Sequence, residues 1–126
     1  MNSGTPGFNG ERLTEARLAR GMTAVDLAQF VGVTPQSISQ YEKNKQTPRT
    51  DVLDALAFRL DMPRSYFLRP PEQQDNAPIF WRCRETSSNI ARARAEIRLR
   101  WVKRTLRHLA GFLDFPPVQL PKLDLP

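Results

Sequence analysis

Between Thr23 and Lys45 the chain concentrates side chains that hydrogen-bond rather than react: the hydroxyls of Thr23, Ser37 and Ser39, the amides of Gln36, Gln40 and Asn44, and the ammonium groups of Lys43 and Lys45. Nucleophilic and metal chemistry have little to work with. One cysteine, Cys83, rules out an internal disulfide, and with one histidine, His108, a four-ligand zinc site would have to borrow carboxylates. Every Ser/His/Asp triad would draw on that same histidine, and no glycine-rich phosphate loop is present. Cys83 therefore reads as an incidental thiol and His108 as a surface histidine on a basic helix. We expect no catalytic residue, no metal and no cofactor, and hence no enzyme.

The elements that position the polar stretch follow from helix start and stop signals. These recur at short intervals, no strand-like alternation persists, and the chain is predicted to be all-α. Asn9 caps a first helix, with Phe8 stapled onto Leu13 and a stop at Gly21. Thr23 and Asp26 make a capping box for a second, which Gly32 ends. Thr34 caps a third, with Pro35 in its first turn and Ile38 and Tyr41 facing inward. A fourth, capped by Thr50, buries Val52, Leu53, Leu56 and Leu60, and Pro63 opens a short fifth whose Tyr66, Phe67 and Leu68 complete the core. Ala28 is small enough to let two helices cross, Gly32 turns the backbone, and Ile38 fills the corner between them. That spacing fits a helix-turn-helix, which presents the polar N-terminal face of its second helix to the major groove of B-DNA. A small trihelical core of this kind also suits protein recognition.

Length and charge agree with a single small domain and an appendage. The 126 residues are too few for a multi-domain enzyme, and a net charge of +6 with pI near 10.2 favours a polyanionic partner. No long apolar run marks a membrane span and the N-terminus has no apolar signal core, so a cytoplasmic protein is expected. We divide the chain into a disordered N-terminal tail over 1–7, a helix-turn-helix domain over 8–69, a linker over 70–87, a long basic amphipathic helix over 88–114 and a Pro-rich tail over 115–126. Residues 88–113 hold seven basic side chains and one acidic, Glu96. That segment has three readings: a broad apolar face packed on a neighbour with arginines solvated, added phosphate contact, or attachment to a membrane surface. The first is preferred and no membrane partner is assigned.

The segments LAQFVGVTPQSISQYEKNKQTP and LDALAFRL, closed by Tyr66-Phe67-Leu68, resemble the DNA-binding domain of the phage repressor and Cro proteins, the XRE-type helix-turn-helix family. The resemblance runs from about Phe8 to Leu68 and implies a five-helix lambda-repressor-like domain. It implies base contact by Gln36 and Gln40, with Ser37 and Ser39 beside them, and phosphate contact by Thr23, Lys43, Asn44, Lys45 and Arg49. Glutamine chemistry is compatible, since its amide pairs in bidentate fashion with N6 and N7 of adenine. Arg17 and Glu42 occupy the places of a structural Arg/Glu pair in the family, beside Ala28, Gly32 and Ile38 as framework residues. Pro35 departs from relatives that place a base-reading glutamine there, so their operator preference does not transfer.

From Phe80 to Leu120 the sequence is similar to the connector of two-domain regulators that end in an ImmA/IrrE-type metallopeptidase, but it contains no H-E-x-x-H motif. The expected partner is double-stranded DNA, and the expected role is transcriptional regulation, by repression before activation. A different class of reading keeps this chain as the regulatory part of such a metallopeptidase, or as an antitoxin bound to a toxin. A homodimer through the 88–114 helix is expected if Trp101, Leu106, Leu109 and Leu113 are exposed.

Overall fold

A computed structural model describes residues 4–70, 88–117 and 119. Among them are six helices and no strand: α1 (Gly10–Ala19), α2 (Ala24–Val31), α3 (Pro35–Glu42), α4 (Thr50–Leu60), α5 (Arg64–Phe67) and α6 (Asn89–Ala110). The described residues are all-α, with a helix-turn-helix domain followed by a long helix. Apart from Pro70, the expected linker lies outside the described residues, as does most of the Pro-rich tail. No helix among the described residues is long and apolar enough to cross a membrane.

Capping residues set the helix boundaries. Asn9 accepts from the Glu11 N–H, Thr34 from that of Ser37 and Ser88 from that of Ala91, each satisfying a donor that the first turn leaves without a partner. Helices α1, α3 and α4 end alike, with a left-handed residue at Gly21 (φ 68°), Asn44 (φ 55°) and Asp61 (φ 51°). In each, the following N–H returns to a carbonyl one turn back: Met22 to Arg17, Lys45 to Gln40 and Met62 to Ala57. Thr50 departs from expectation. It is the first residue of α4, and the capping position falls to Arg49, whose side chain makes no cap bond.

Leu13, Ala16, Leu27, Ala28, Ile38, Leu53, Leu56, Leu60 and Phe67 form the core. Leu68, assigned to that core from its place beside Phe67, is instead exposed at 36%, and Val52 is half-buried. The start of the chain also differs from the sequence reading. Within the expected disordered tail, Thr5 donates through both its N–H and its hydroxyl to the Pro48 carbonyl, at 2.9 and 3.0 Å. Beyond it, the Asn9 N–H donates to the Phe67 carbonyl and its amide to that of Arg69. These bonds tie Thr5 to the segment before α4 and Asn9 to the last turns of the domain.

The long helix α6 lies on α1. Ile97 is buried in the contact, Trp101 meets the Tyr66 ring edge-on at 6.1 Å, and Arg98 Nε donates to the Ala19 carbonyl at the end of α1. A guanidinium at that terminus also opposes the helix dipole. Arg100 and Arg104 approach Glu15 at 3.9 and 3.7 Å. Trp101, expected on an exposed stripe, thus belongs to the intramolecular contact because Tyr66 supplies an aromatic partner.

Glu15 accepts the Tyr66 hydroxyl proton at 2.9 Å, while Arg12, only 2% exposed, bonds Glu15 and the Pro70 carbonyl. Burial first, and then the Glu15 charge, push the Tyr66 phenol up to about 12. The folded value lies above the unfolded one, so the associated stability is intact below pH 10 and is lost as pH rises from 10 to 12. On the order of 2 kcal/mol is expected to disappear across that window. Absorbance titration of tyrosinate is expected to show one phenol ionising near 12 and to lose that phase in Tyr66→Phe; a parent titration with no such phase would refute the Glu15–Tyr66 contact.

Candidate nucleic-acid interface

Two helices crossing at a small residue build the presenting scaffold. Ala28 and Ile38 are fully buried where α2 meets α3. Gly32 turns the chain between them at φ 79°, and the N–H groups of Gly32 and Val33 both reach the Ala28 carbonyl. An alanine at Gly32 would be strained by its backbone angle, since nothing lies within 4 Å of the added carbon. Ile38 fixes the rotation of α3 and thereby which side chains face out.

The outward face carries the predicted polar set, with different roles. Gln36 is exposed and Gln40 half-buried, and neither side-chain amide has a hydrogen-bond partner among the described residues. They lie four residues apart, on one side of the helix. Ser37, by contrast, is part of the cap: its N–H donates to the Thr34 hydroxyl oxygen, and the two hydroxyls sit 2.8 Å apart. Ser39 is half-buried.

The candidate phosphate contacts also divide. Thr23 is committed to its capping box: its hydroxyl donates to Asp26 Oδ2 at 2.6 Å and its oxygen accepts the Asp26 N–H at 3.1 Å. The Thr23 hydroxyl, and then the Thr23 N–H donating to Asp26 Oδ2 at 3.1 Å, hold the Asp26 carboxyl below the usual carboxylate range. A carboxylate therefore sits at the end of α2 where the sequence reading places a phosphate. Lys43, Asn44 and Lys45 follow α3 on the exposed turn described above, and the left-handed Asn44 between the lysines fixes their relative direction. Arg49 is exposed, with Nη2 3.0 Å from Asp51.

Arg17 and Glu42 make a two-pronged ion pair, Nε–Oε1 at 2.6 Å and Nη2–Oε2 at 3.1 Å, and Arg17 Nη1 also donates to the Met22 carbonyl. One guanidinium thus joins α1, the approach to α2 and the end of α3. A second brace is less evident from sequence. The Asn44 side-chain oxygen accepts the Gly10 N–H at 2.7 Å, and a Cβ on Gly10 would overlap the carbonyl oxygens of Tyr41 and Glu42. Asparagine at a left-handed position after a helix is a local signal for a C-terminal turn, but its bond to a residue 34 positions earlier is visible only in three dimensions. With its oxygen held by Gly10, Asn44 keeps its NH2 group as a donor beside the two lysines.

Among the described residues no group of three or more His, Cys, Asp or Glu side chains could hold a metal ion. The face is built for hydrogen bonding and positive charge. Residues 13–67 match the model of a family described as Helix-turn-helix, whose members are of the Cro-like, XRE type. No curated protein and no solved structure matches the chain. The matched region runs from α1 to the end of α5 and contains the whole of the face just described, and the N-terminal domain of this chain belongs to the XRE-type helix-turn-helix family, a family of DNA-binding domains of transcriptional regulators.

Proposed function

We propose that the protein binds double-stranded DNA sequence-specifically, with α3 in the major groove, and regulates transcription without catalysing a reaction. The observation that carries this reading is the state of Gln36 and Gln40. Both amides are held on a helix locked from behind by Ile38, and neither has a hydrogen-bond partner among the described residues. An amide in this state offers the donor and acceptor that adenine N7 and N6 require. The exposed turn Lys43-Asn44-Lys45 supplies phosphate contacts, joined by Arg49; Thr23 contributes by fixing the start of α2. Repression is the simpler outcome, since occupancy of a promoter suffices to block polymerase.

Selection of bound duplexes from a randomised pool at physiological salt tests the proposal. An enriched motif with A·T pairs facing the two glutamines supports it, and failure to enrich any motif overturns sequence-specific binding. On the selected duplex, Lys45→Ala is expected to weaken binding to all sequences alike and to lower the salt dependence by about one counterion. Loss confined to particular base substitutions would show that Lys45 reads bases instead.

A further inference from the structure

Arg17, Arg20, Arg94 and Arg98 stand around the turn that joins α1 to α2, and the protein engages three of them. Arg17 is held by Glu42 and the Met22 carbonyl, Arg20 donates to the Leu60 and Asp61 carbonyls, and Arg98 Nε donates to the Ala19 carbonyl. Arg94 is exposed and has no hydrogen bond or ion pair among the described residues. Its side chain still has a fixed place. A Cβ on Gly21 would lie 3.2 Å from Arg94 Cδ and 3.5 Å from Nη1, so the arginine rests on a turn that a bare, left-handed glycine (φ 68°) keeps open. Buried Ile97 and the Arg98 bond, about one turn further along α6, hold the helix in that position.

We propose that Arg94 is a backbone-phosphate contact that α6 supplies to the DNA interface of the helix-turn-helix domain, an inference that rests on the duplex-binding reading of α3. Continuity with that interface supports it. Gly21 precedes Met22, whose carbonyl takes Arg17 Nη1; Arg17 holds Glu42, and Glu42 precedes Lys43. Through this chain of contacts Arg94 is joined to the edge that carries Lys43-Asn44-Lys45. A duplex that receives α3 lines both walls of the groove with phosphates, so the elements flanking α3 are the ones that meet them. The start of α2 lacks a cation of its own for that purpose. The Thr23 hydroxyl and N–H are both spent on Asp26, whose carboxylate repels a phosphate. A guanidinium beside Gly21 offsets that charge and offers forked donors to phosphate oxygens. Charge along the chain agrees: residues 1–70 hold nine basic and seven acidic side chains, a weak attraction for a polyanion, whereas residues 88–113 hold seven and one.

Binding of the full chain to a random-sequence duplex, which needs no operator, tests the contact when measured against salt for the parent, Arg94→Gln, Arg94→Lys and Arg107→Gln. The last makes the same change of net charge thirteen residues, about 20 Å, further along α6. Arg94→Gln is expected to bind more weakly at 50 mM salt and to lower the salt dependence by about one counterion, so that its deficit against the parent shrinks about threefold by 200 mM. Arg94→Lys keeps the charge and is expected to restore the parent's salt dependence, and Arg107→Gln to leave it unaltered. An unchanged salt dependence in Arg94→Gln, an equal drop in Arg107→Gln, or an Arg94→Lys variant that behaves as Arg94→Gln would each overturn the phosphate contact. A parent that fails to bind the duplex overturns the DNA reading and this contact together, whereas a parent that binds with a salt dependence indifferent to Arg94 overturns the contact alone.

Discussion

A Gln36→Ala/Gln40→Ala variant is expected to keep the fold and lose base selection. Neither amide has a hydrogen-bond partner among the described residues, so truncation leaves none of these groups unsatisfied, and alanine is a better helix former than glutamine. Thermal stability is therefore expected to be unchanged or slightly raised. On DNA, each bidentate glutamine–adenine contact discriminates by about 1–3 kcal/mol, so removing two lowers the preference for the selected duplex over unrelated DNA by ~30-fold or more. Binding to unrelated duplex is expected to persist, because Lys43, Asn44, Lys45 and Arg49 are untouched. Competition binding against the parent motif and a scrambled duplex checks both halves. An equal loss on the two duplexes would assign the glutamines to backbone contact and overturn the assignment of α3 as the reading helix.

The second large effect is expected where the sequence offers no chemical group at all. Gly10→Ala is predicted to destabilise the domain by about 3 kcal/mol, against the usual direction of a glycine-to-alanine change in a helix, which stabilises by about 1 kcal/mol. The reversal comes from contact. The added methyl would overlap two backbone carbonyl oxygens, of Tyr41 and Glu42, and neither can step aside as a flexible side chain would. Relief requires α1 to move away from the end of α3, which stretches the Gly10–Asn44 bond and the Arg17–Glu42 pair together. Urea titration at neutral pH measures the difference, with Asn44→Ala as companion. That variant loses one brace without adding bulk and is expected to cost about 1 kcal/mol. A Gly10→Ala protein as stable as the parent would mean that α1 and α3 are not packed this closely.

Much of this was legible along the sequence because it is local. The Thr23–Asp26 box, the Thr34-Pro35 start and the left-handed Gly32 each involve residues within a few positions of one another, and all three occur where the pattern places them. The buried spacing of Leu53, Leu56 and Leu60 belongs to the same class. What escaped depends on distant neighbours. Trp101 looked exposed because nothing near it in sequence announces Tyr66, 35 positions earlier, as its partner. Thr5 falls in a glycine- and proline-containing stretch that reads as disordered, yet the Pro48 carbonyl fixes it. Leu68 failed in the opposite sense: adjacency to Phe67 suggested burial, but the short α5 ends there and turns it outward.

The bonds that close the start of the chain bear on how it is made. Thr5 waits for Pro48, Gly10 for Asn44, and Asn9 for Phe67 and Arg69. During synthesis the sequence of α1 emerges long before any of these partners exists, so a helix of only ten residues leaves the ribosome with its braces missing. The domain can close only after residue 69 has cleared the exit tunnel, and it then closes as a unit. Because α6 adds no bond to this closing set, a nascent chain arrested soon after that point is expected to acquire the reading face before the long helix packs on α1.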